Sequence, residues 1–272
     1  MKWRDPERVT TVLLCELVLG GLARAQYAPA KPPLMPEKTE QNVEAPCLQP
    51  SGLVGWEDYR GPLQKVVGTF ARKLERKSAH LPRYKAGVML CSLELNDKFA
   101  LFVQDTFDPV SFLGAGFNAG IGQAGNQDPT FGQGAAGYGK RFGAEFVGQT
   151  STRFFTEFAY PAIFAEDPRY YRLGRGSNGK RLLHAMEHSF IAHRDNGRHI
   201  FNSSEWLGTT SGVLVNSQLH PGNERGFGPV AQQVGYSVLT AMGFDVLREF
   251  WPEIARKFKM PFRDRTEPSP PR

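Results

Sequence analysis

The segment HAMEH contains residues whose types and spacing could do chemistry. His184, Glu187 and His188 fit the pattern H-x-x-E-H, in which two histidines one helical turn apart bind zinc and the glutamate acts as general base. The pattern also needs a carboxylate as third ligand, and Glu249 or Glu253 could supply it. One hypothesis is therefore a zinc-dependent hydrolase, with His184 and His188 as metal ligands and Glu187 as the catalytic residue.

The same segment has a simpler interpretation as plain surface histidines. His184, His188, His193 and His199 lie within 16 residues, so a short motif of this kind arises easily by chance. The sequence contains no Cys-x-x-Cys that would add a zinc-ribbon or redox signature. We favour this interpretation, which needs no cofactor, over the zinc hypothesis.

A basic tract surrounds the histidines. Interleaved with tyrosines, its side chains could hold phosphate or carboxylate groups of a lipid or of an envelope polymer. A solvated loop is the alternative interpretation. The candidate residues for binding an anion or a lipid are Arg169, Arg172, Arg175, Lys180 and Arg181.

The stretch GQGAAG, residues 132–137, matches the dinucleotide fingerprint G-x-G-x-x-G. A nucleotide site of this kind needs a buried β-strand directly before the glycines, so that the turn delivers the pyrophosphate to a helix N-terminus. The preceding residues AGNQDPTF contain a proline and no apolar run. The sequence therefore argues against a nucleotide site at these glycines.

Small residues recur at every fourth position in four segments, which puts them on one face of a helix. Each glycine costs a helix about 1 kcal/mol relative to alanine, and close approach of two helix backbones is the obvious compensation. The pattern predicts a mainly α fold, a compact bundle of glycine-rich helices with long loops, in which Gly139 and Gly143 mediate helix contact. The repeating positions are Gly116, Gly120 and Ala124; Gly139 and Gly143, with Ala144 and Gly148; Gly208 and Gly212; and Ala231, Gly235 and Gly243.

Faces of small residues are typical of helices that pack in membranes, whereas a soluble bundle usually has bulkier core residues. After residue 25, however, no stretch reaches the roughly 18 uninterrupted apolar residues of a spanning helix. Two alternatives stay open. One is a helical protein that contacts lipid or associates with itself as a homo-oligomer, and the other is a compact soluble bundle.

The first 25 residues have the organisation of a signal peptide. Lys2 and Arg4 precede an apolar run, and Ala23 and Ala25 place small residues at the two positions that a signal peptidase reads. We interpret residues 1–25 as a cleaved signal peptide; an amphipathic helix that stays attached is the alternative.

Both flanks of the remaining chain are rich in proline and poor in large apolar side chains. Residues 26–50 are therefore predicted to be a disordered linker and residues 261–272 a disordered tail, with a single helical domain at 51–260 between them. In an exported chain, Cys47 and Cys91 permit one disulfide, and two independent thiols are the alternative.

The formal net charge of +6 makes the chain mildly basic. This charge suits an anionic membrane surface or envelope polymer, and the absence of any recognition motif argues against nucleic acid as a partner. Residues 61–77 predict an amphipathic basic helix, which would lie on an anionic membrane or present its basic face to water.

Five segments in a fixed order resemble a family of predicted bacterial exported proteins whose activity is uncharacterised. The segments are DTFDPVSFLGAGFNAG, GYGKRFG, EDPRYYRLGRGS, FNSSEWLG and REFWPEI, and the resemblance covers about residues 96–254. It implies a location in the bacterial envelope, in the periplasm or at the outer membrane. It implies no activity, cofactor or catalytic residue.

Taken together, the sequence predicts an exported protein of the bacterial envelope with a structural or interaction role. Its expected partner is a membrane surface or an anionic envelope polymer. Zinc-dependent hydrolysis through HAMEH is the alternative function.

Overall fold

The computed structural model describes residues 61, 63–80, 91–220 and 226–259, and this part of the chain is mainly helical, as predicted. The interpretations of residues 1–25, 26–50 and 261–272 fall outside the described residues. The helices are α1 (Gln64–Arg76), α2 (Leu95–Thr106), α3 (Pro109–Ala124), α4 (Gly134–Arg153), α5 (Tyr160–Phe164), α6 (Asn178–Glu187), α7 (Ser203–Leu219) and α8 (Phe227–Phe258). The strands are β1 (Ser78–His80), β2 (Glu166–Asp167), β3 (Tyr170–Arg172), β4 (Ile191–Arg194) and β5 (His199–Phe201).

Helices α3, α4, α7 and α8 lie side by side in that order. Thr152 of α4 lies against Gly212 of α7, and Gly148 of α4 lies against Asn216 of α7, so these two helices run antiparallel. Where α7 ends, His220 Nδ1 lies 2.6 Å from Asp128 Oδ2 in the loop between α3 and α4. One end of the layer therefore gathers the last residues of α3 and α7 and the first residues of α4.

Glycines allow the close contact between α4 and α7. A Cβ atom added at Gly212 would lie 2.5 Å from Thr152 Cα, and one at Gly208 would lie 2.9 Å from the Thr156 nitrogen. A Cβ atom at Gly148 would lie 2.6 Å from Asn216 Cγ. Because the atoms met at Gly212 and Gly208 include backbone, a side chain there would require the backbone to move, whereas at Gly148 the Asn216 side chain would have to move.

The prediction that Gly139 and Gly143 mediate helix contact is wrong for the described part of the chain. Both glycines are on the exposed side of α4, and a Cβ atom at either would meet nothing within 4 Å. The four-residue step of small residues correctly marks α4, but the face that packs is the one with Ala144 and Gly148.

Helix α1 confirms the helix predicted within residues 61–77, but much of its basic face turns inward. Lys73 and Arg76 contact Asp105, and Lys77 contacts Glu157. On its apolar side, α1 packs against the second half of α8. The buried residues of this contact are Ala71, Leu74, Trp251 and Ala255.

Helix α4 continues through one π-helical segment (Phe154–Ala159) into α5. The ring of Pro161 has no N–H to donate to the preceding turn, which favours an irregular hydrogen-bond pattern there. Lys98 Nζ of α2 reaches this region and donates to the Pro161 carbonyl over 3.1 Å. The π segment also turns Glu157 into the interior, where its side chain is buried.

Five short strands, which the sequence did not predict, position the tract between α5 and α7. Strand β1 pairs parallel with β3, and β2, β4 and β5 form an antiparallel sheet with β4 in the centre. Among the described residues, no helix combines the length and the apolar character needed to cross a membrane. Cys91 is disulfide-bonded, and its partner cysteine lies outside the described residues.

Candidate functional site

The histidines of HAMEH lie near the end of α6 and face the interior. His184 Nε2 lies 2.8 Å from the Tyr171 carbonyl oxygen, and His188 Nδ1 lies 2.7 Å from Asp245 Oδ2. Glu187, by contrast, is exposed. Each histidine is thus fixed through one ring nitrogen by a group outside the motif.

The described residues contain no group of three or more histidine, cysteine or acidic side chains arranged to hold a metal ion. The acids considered as third ligand are engaged elsewhere, since Glu249 and Glu253 both contact Arg181. The zinc hypothesis for His184, His188 and Glu187 stays a prediction.

Three of the five candidate anion-binding residues have carboxylate partners within the chain. Arg169 forms a bidentate pair with Asp167, with the shortest contact at 2.6 Å. Arg172 and Arg181 both reach Glu253. Of the five residues, Arg175 and Lys180 are the exposed ones.

Glu249, in the second half of α8, is the centre of a buried hydrogen-bond network. Its completely buried carboxylate accepts hydrogen bonds from Tyr170 Oη at 2.8 Å, from the backbone nitrogens of Leu173 and Gly174 at 2.9 Å each, and from Arg181 Nε at 2.8 Å. Burial by itself would raise the pKa of Glu249, but these donors outweigh it and lower the pKa. The ionised carboxylate therefore ties β3 and α6 to α8.

The Glu249 carboxylate also affects the pKa of Tyr170. Burial, and then the negative charge of Glu249, raise the pKa of Tyr170 well above its ordinary value. Tyr170 is therefore held as a neutral hydrogen-bond donor rather than as a phenolate nucleophile or base.

A small polar cavity of about 40 Å³ lies beside this network and is lined in part by Tyr170. Since a buried water needs roughly 10–15 Å³ of such volume, the cavity has room for about three waters and not for a substrate. Its polar lining comes from α7, α8, the π segment, the chain around β2 and β3, and the residues that directly follow α1 and α6. The charged and polar residues that line it include Lys77, Glu166, His188, Ser204, Glu205, Asp245 and Arg248.

Three buried polar atoms of the lining residues have no hydrogen-bond partner among the described residues. They are Glu166 Oε1, Ser204 Oγ and Arg248 Nε. Glu166 Oε2 accepts from the Ser204 nitrogen over 3.0 Å, which places the carboxylate at the first turn of α7. Buried polar groups of this kind are normally satisfied by ordered water, and the cavity has the size to hold it.

The cavity contains acids whose pKa values move in opposite directions. Burial would raise the pKa of Asp245, but His188 and Arg248 lower it. Burial raises the pKa of Glu205, and Lys77 offsets only part of that rise. Such paired environments can store a proton.

The end of the helical layer that lies away from Glu249 differs in its content of charged residues. The chain carries no charged residue from Pro109 to Gln127, none from Trp206 to Leu219 and none from Gly226 to Phe244. We call this part of the layer, which comprises α3 and the charge-free parts of α7 and α8, the charge-poor end. Its exposed large apolar side chains include Leu113, Phe117, Ile121, Leu214, Val215, Phe227, Tyr236 and Leu239.

Comparisons of the chain with known protein families, with curated proteins and with solved structures found no match.

Proposed function

We propose that this protein is an exported component of a bacterial envelope with a structural or interaction role, and that its charge-poor end contacts the apolar part of a lipid layer. The observation that carries the proposal is the segregation of charge along the helical layer. Buried ion pairs occupy the end near Glu249, whereas the helices at the other end contain long stretches without a charged residue.

The length of the charge-free stretches supports lipid contact. The stretches in α3 and at the start of α8 are both 19 residues long, and a helix rises about 1.5 Å per residue. Helix α3 has 16 residues and therefore extends over roughly 24 Å, and the charge-free part of α8 extends over roughly 27 Å. Both lengths are somewhat shorter than the roughly 30 Å hydrocarbon core of a bilayer. Exposed large apolar side chains recur along both stretches, from Leu113 to Ile121 and from Phe227 to Leu239.

Three charged residues of α4 and of the loop before it also fit the proposal. Arg141 is buried and donates to the carbonyl oxygens of Gln127, Asp128 and Gly132. The Asp128 carboxylate contacts His220. Lys140 is exposed, and its long side chain can place the ammonium group at the polar boundary of a lipid layer.

The proposed export rests on the sequence of residues 1–25. A chain that is processed after Ala25 would start at Gln26. Mass spectrometry of the protein from a bacterial host, with an Ala23→Leu and Ala25→Leu variant as control, tests this. The proposal requires a mature N-terminus at Gln26 in the wild type and its loss in the variant; an uncleaved wild type contradicts it.

Vesicle flotation tests the lipid contact. Vesicles of phosphatidylethanolamine and phosphatidylglycerol are mixed with purified protein and floated on a density gradient. The wild type is expected to float, and Leu113→Asp and Phe117→Asp are expected to stay at the bottom, because a carboxylate on this face must be taken out of water.

Leu95→Asp is the matched control for this experiment. Leu95 is 58% exposed, against 65% for Leu113 and 69% for Phe117, but it lies in the first turn of α2, at the other end of the protein. It should float like the wild type. Flotation should also persist in about 1 M salt, which screens attraction between charges.

Two outcomes would contradict the proposal. One is a wild type that stays with the unbound fraction. The other is flotation that disappears in high salt while Leu113→Asp and Phe117→Asp still float, since binding would then be electrostatic and would not involve the charge-poor end.

A further inference from the structure

Two histidines lie side by side on the antiparallel sheet. His193 of β4 and His199 of β5 are cross-strand partners. They lie one step from Arg194 and Arg198, where the Arg194 nitrogen donates to the Arg198 carbonyl oxygen over 2.8 Å. Hydrogen-bonded and non-hydrogen-bonded pairs alternate along an antiparallel ladder. His193 and His199 therefore form a non-hydrogen-bonded pair, the type in which facing side chains lie closest together.

The two imidazole rings are neighbours in space. Their centres are 4.3 Å apart and their planes are tilted by 53°. His193 also stacks on Tyr171, with 4.1 Å between the ring centres, and Tyr171 Oη donates to Asp167 Oδ2 over 2.7 Å. His199 is exposed. The pair thus combines one ring that is held in place with one that is open to solvent.

The nitrogens of these two rings differ from those of three other histidines. Ring nitrogens of His184, His188 and His220 each lie 2.6–2.8 Å from an oxygen of a carboxylate or a carbonyl group. Within the part of the chain that the structure describes, no hydrogen bond holds the ring of His199, and His193 Nδ1 is buried without a partner. Buried polar atoms normally have a partner, so His193 and His199 have nitrogen lone pairs available for a ligand.

The charged side chains beside the pair do not oppose a bound cation. Asp167 of β2 is the partner of His193 on the other side of β4, and its carboxylate is balanced by Arg169. Arg194 and Arg198 adjoin the two histidines along the chain, but the alternation of side chains along a strand places them on the opposite face. Neither set of charges puts an unbalanced positive group against the two rings.

We propose that His193 and His199 together bind one divalent transition-metal ion, with water completing its coordination. Imidazole nitrogen is a favoured ligand of zinc, copper and nickel. Two nitrogens bound tetrahedrally at about 2.0–2.1 Å from one zinc ion lie roughly 3.3 Å apart, and ring centres 4.3 Å apart are compatible with that separation. The site shares no residue with HAMEH and does not depend on the proposed lipid contact.

Isothermal titration calorimetry of the untagged chain with zinc chloride near neutral pH tests the site. We expect saturable binding of one Zn²⁺ ion per protein. Magnesium chloride should give no such binding, because Mg²⁺ loses its water reluctantly and prefers oxygen ligands.

Two variants each remove one ring. His193→Gln and His199→Gln should each weaken Zn²⁺ binding at least about tenfold, since loss of an outer partner of a metal ligand already costs about 10–100-fold. His199 is exposed, so His199→Gln should keep the wild-type fold. His184→Gln is the matched control: it removes a HAMEH histidine whose Nε2 already has a partner, and it should bind Zn²⁺ like the wild type.

Nuclear magnetic resonance of the imidazole nitrogens provides a second readout. Zn²⁺ should shift the ring signals of His193 and His199 and leave those of His184 and His188 in place. Absence of saturable Zn²⁺ binding would overturn the proposal, as would binding that neither His193→Gln nor His199→Gln weakens. Binding that His184→Gln abolishes and His199→Gln retains would also overturn it, because the ion would then lie at HAMEH.

Discussion

Lys77 Nζ lies 2.9 Å from Glu157 Oε1, and this contact joins the end of α1 to the π segment that follows α4. Burial would lower the pKa of Lys77, but Glu157 outweighs it and raises the pKa. Burial and Asp105 raise the pKa of Glu157 more than Lys77 and Arg153 lower it. The pair is therefore an internal ion pair in which each group depends on the other.

Removing the lysine alone should be the most damaging change at this pair. Lys77→Met leaves the Glu157 carboxylate buried without its cation, and we expect a loss of about 3 kcal/mol in the free energy of unfolding at neutral pH. Adding Glu157→Gln to that variant should restore about 1–2 kcal/mol, because the uncompensated charge is gone. Urea denaturation followed by circular dichroism measures both, and strictly additive losses would contradict the pairing.

Substituting alanine for glycine should have opposite effects on the free energy of unfolding at one position on α7 and one on α4. Gly212→Ala places a Cβ atom against the backbone of Thr152 and should cost about 2–3 kcal/mol or more. Gly139→Ala is the matched control: its Cβ atom meets nothing within 4 Å, so the higher helix propensity of alanine should add up to about 1 kcal/mol. Equal effects in urea denaturation would refute the close contact of α4 with α7.

Arg141 should be essential for the loop between α3 and α4. Its guanidinium donates to the carbonyl oxygens of Gln127, Asp128 and Gly132 over 2.6–3.1 Å. Arg141→Met leaves these acceptors without their donor, and we expect a loss of about 3 kcal/mol. Lys140→Met, one residue away and exposed, should change the unfolding free energy by less than about 0.5 kcal/mol.

The free energy of unfolding should decrease as the pH is lowered from 6.5 to 4, because the pKa of His193 is lowered in the folded protein. Burial, followed by the charges of His199 and His188, lowers the pKa of His193 from 6.5 to about 4. In that range the unfolded chain takes up a proton that the folded chain does not, so the contribution of neutral His193 is complete above pH 6.5 and is lost as the pH falls towards 4.

A His193→Gln variant provides the test of this pH dependence. Its urea midpoint, measured from pH 8 to pH 4, should depend less on pH below 6.5 than that of the wild type, while both stay flat above pH 7. Identical slopes between pH 6.5 and pH 4 would show that other groups cause the acid sensitivity.

The helical class of the fold could be predicted because four-residue spacing is a local property of the sequence. The strands could not, since β2 has two residues and β3 three, too few to show an alternating pattern. The choice of packing face on α4 also escaped prediction. Small residues occur on both sides of that helix, and contact with α7 decides which side is buried.

The interior charges were the least predictable part of the candidate site. The sequence contains a basic tract but does not show the partners of its arginines: Arg181 is paired with Glu249, which lies 68 positions later in the chain. One signal was available: Glu157 stands in the aromatic run FFTEFAY and Asp245 directly follows a charge-free stretch of 19 residues. An isolated acid in apolar surroundings often marks a buried partner.

Helix α8 extends without interruption from Phe227 to Phe258 and so joins the two ends of the protein. Its 32 residues correspond to about 48 Å. Val234 packs against α7 near one end of this rod, and Glu249 holds Tyr170 and Arg181 near the other. Because one continuous helix carries both sets of contacts, a tilt imposed on the first half of α8 would also displace the part of the helix that holds Glu249.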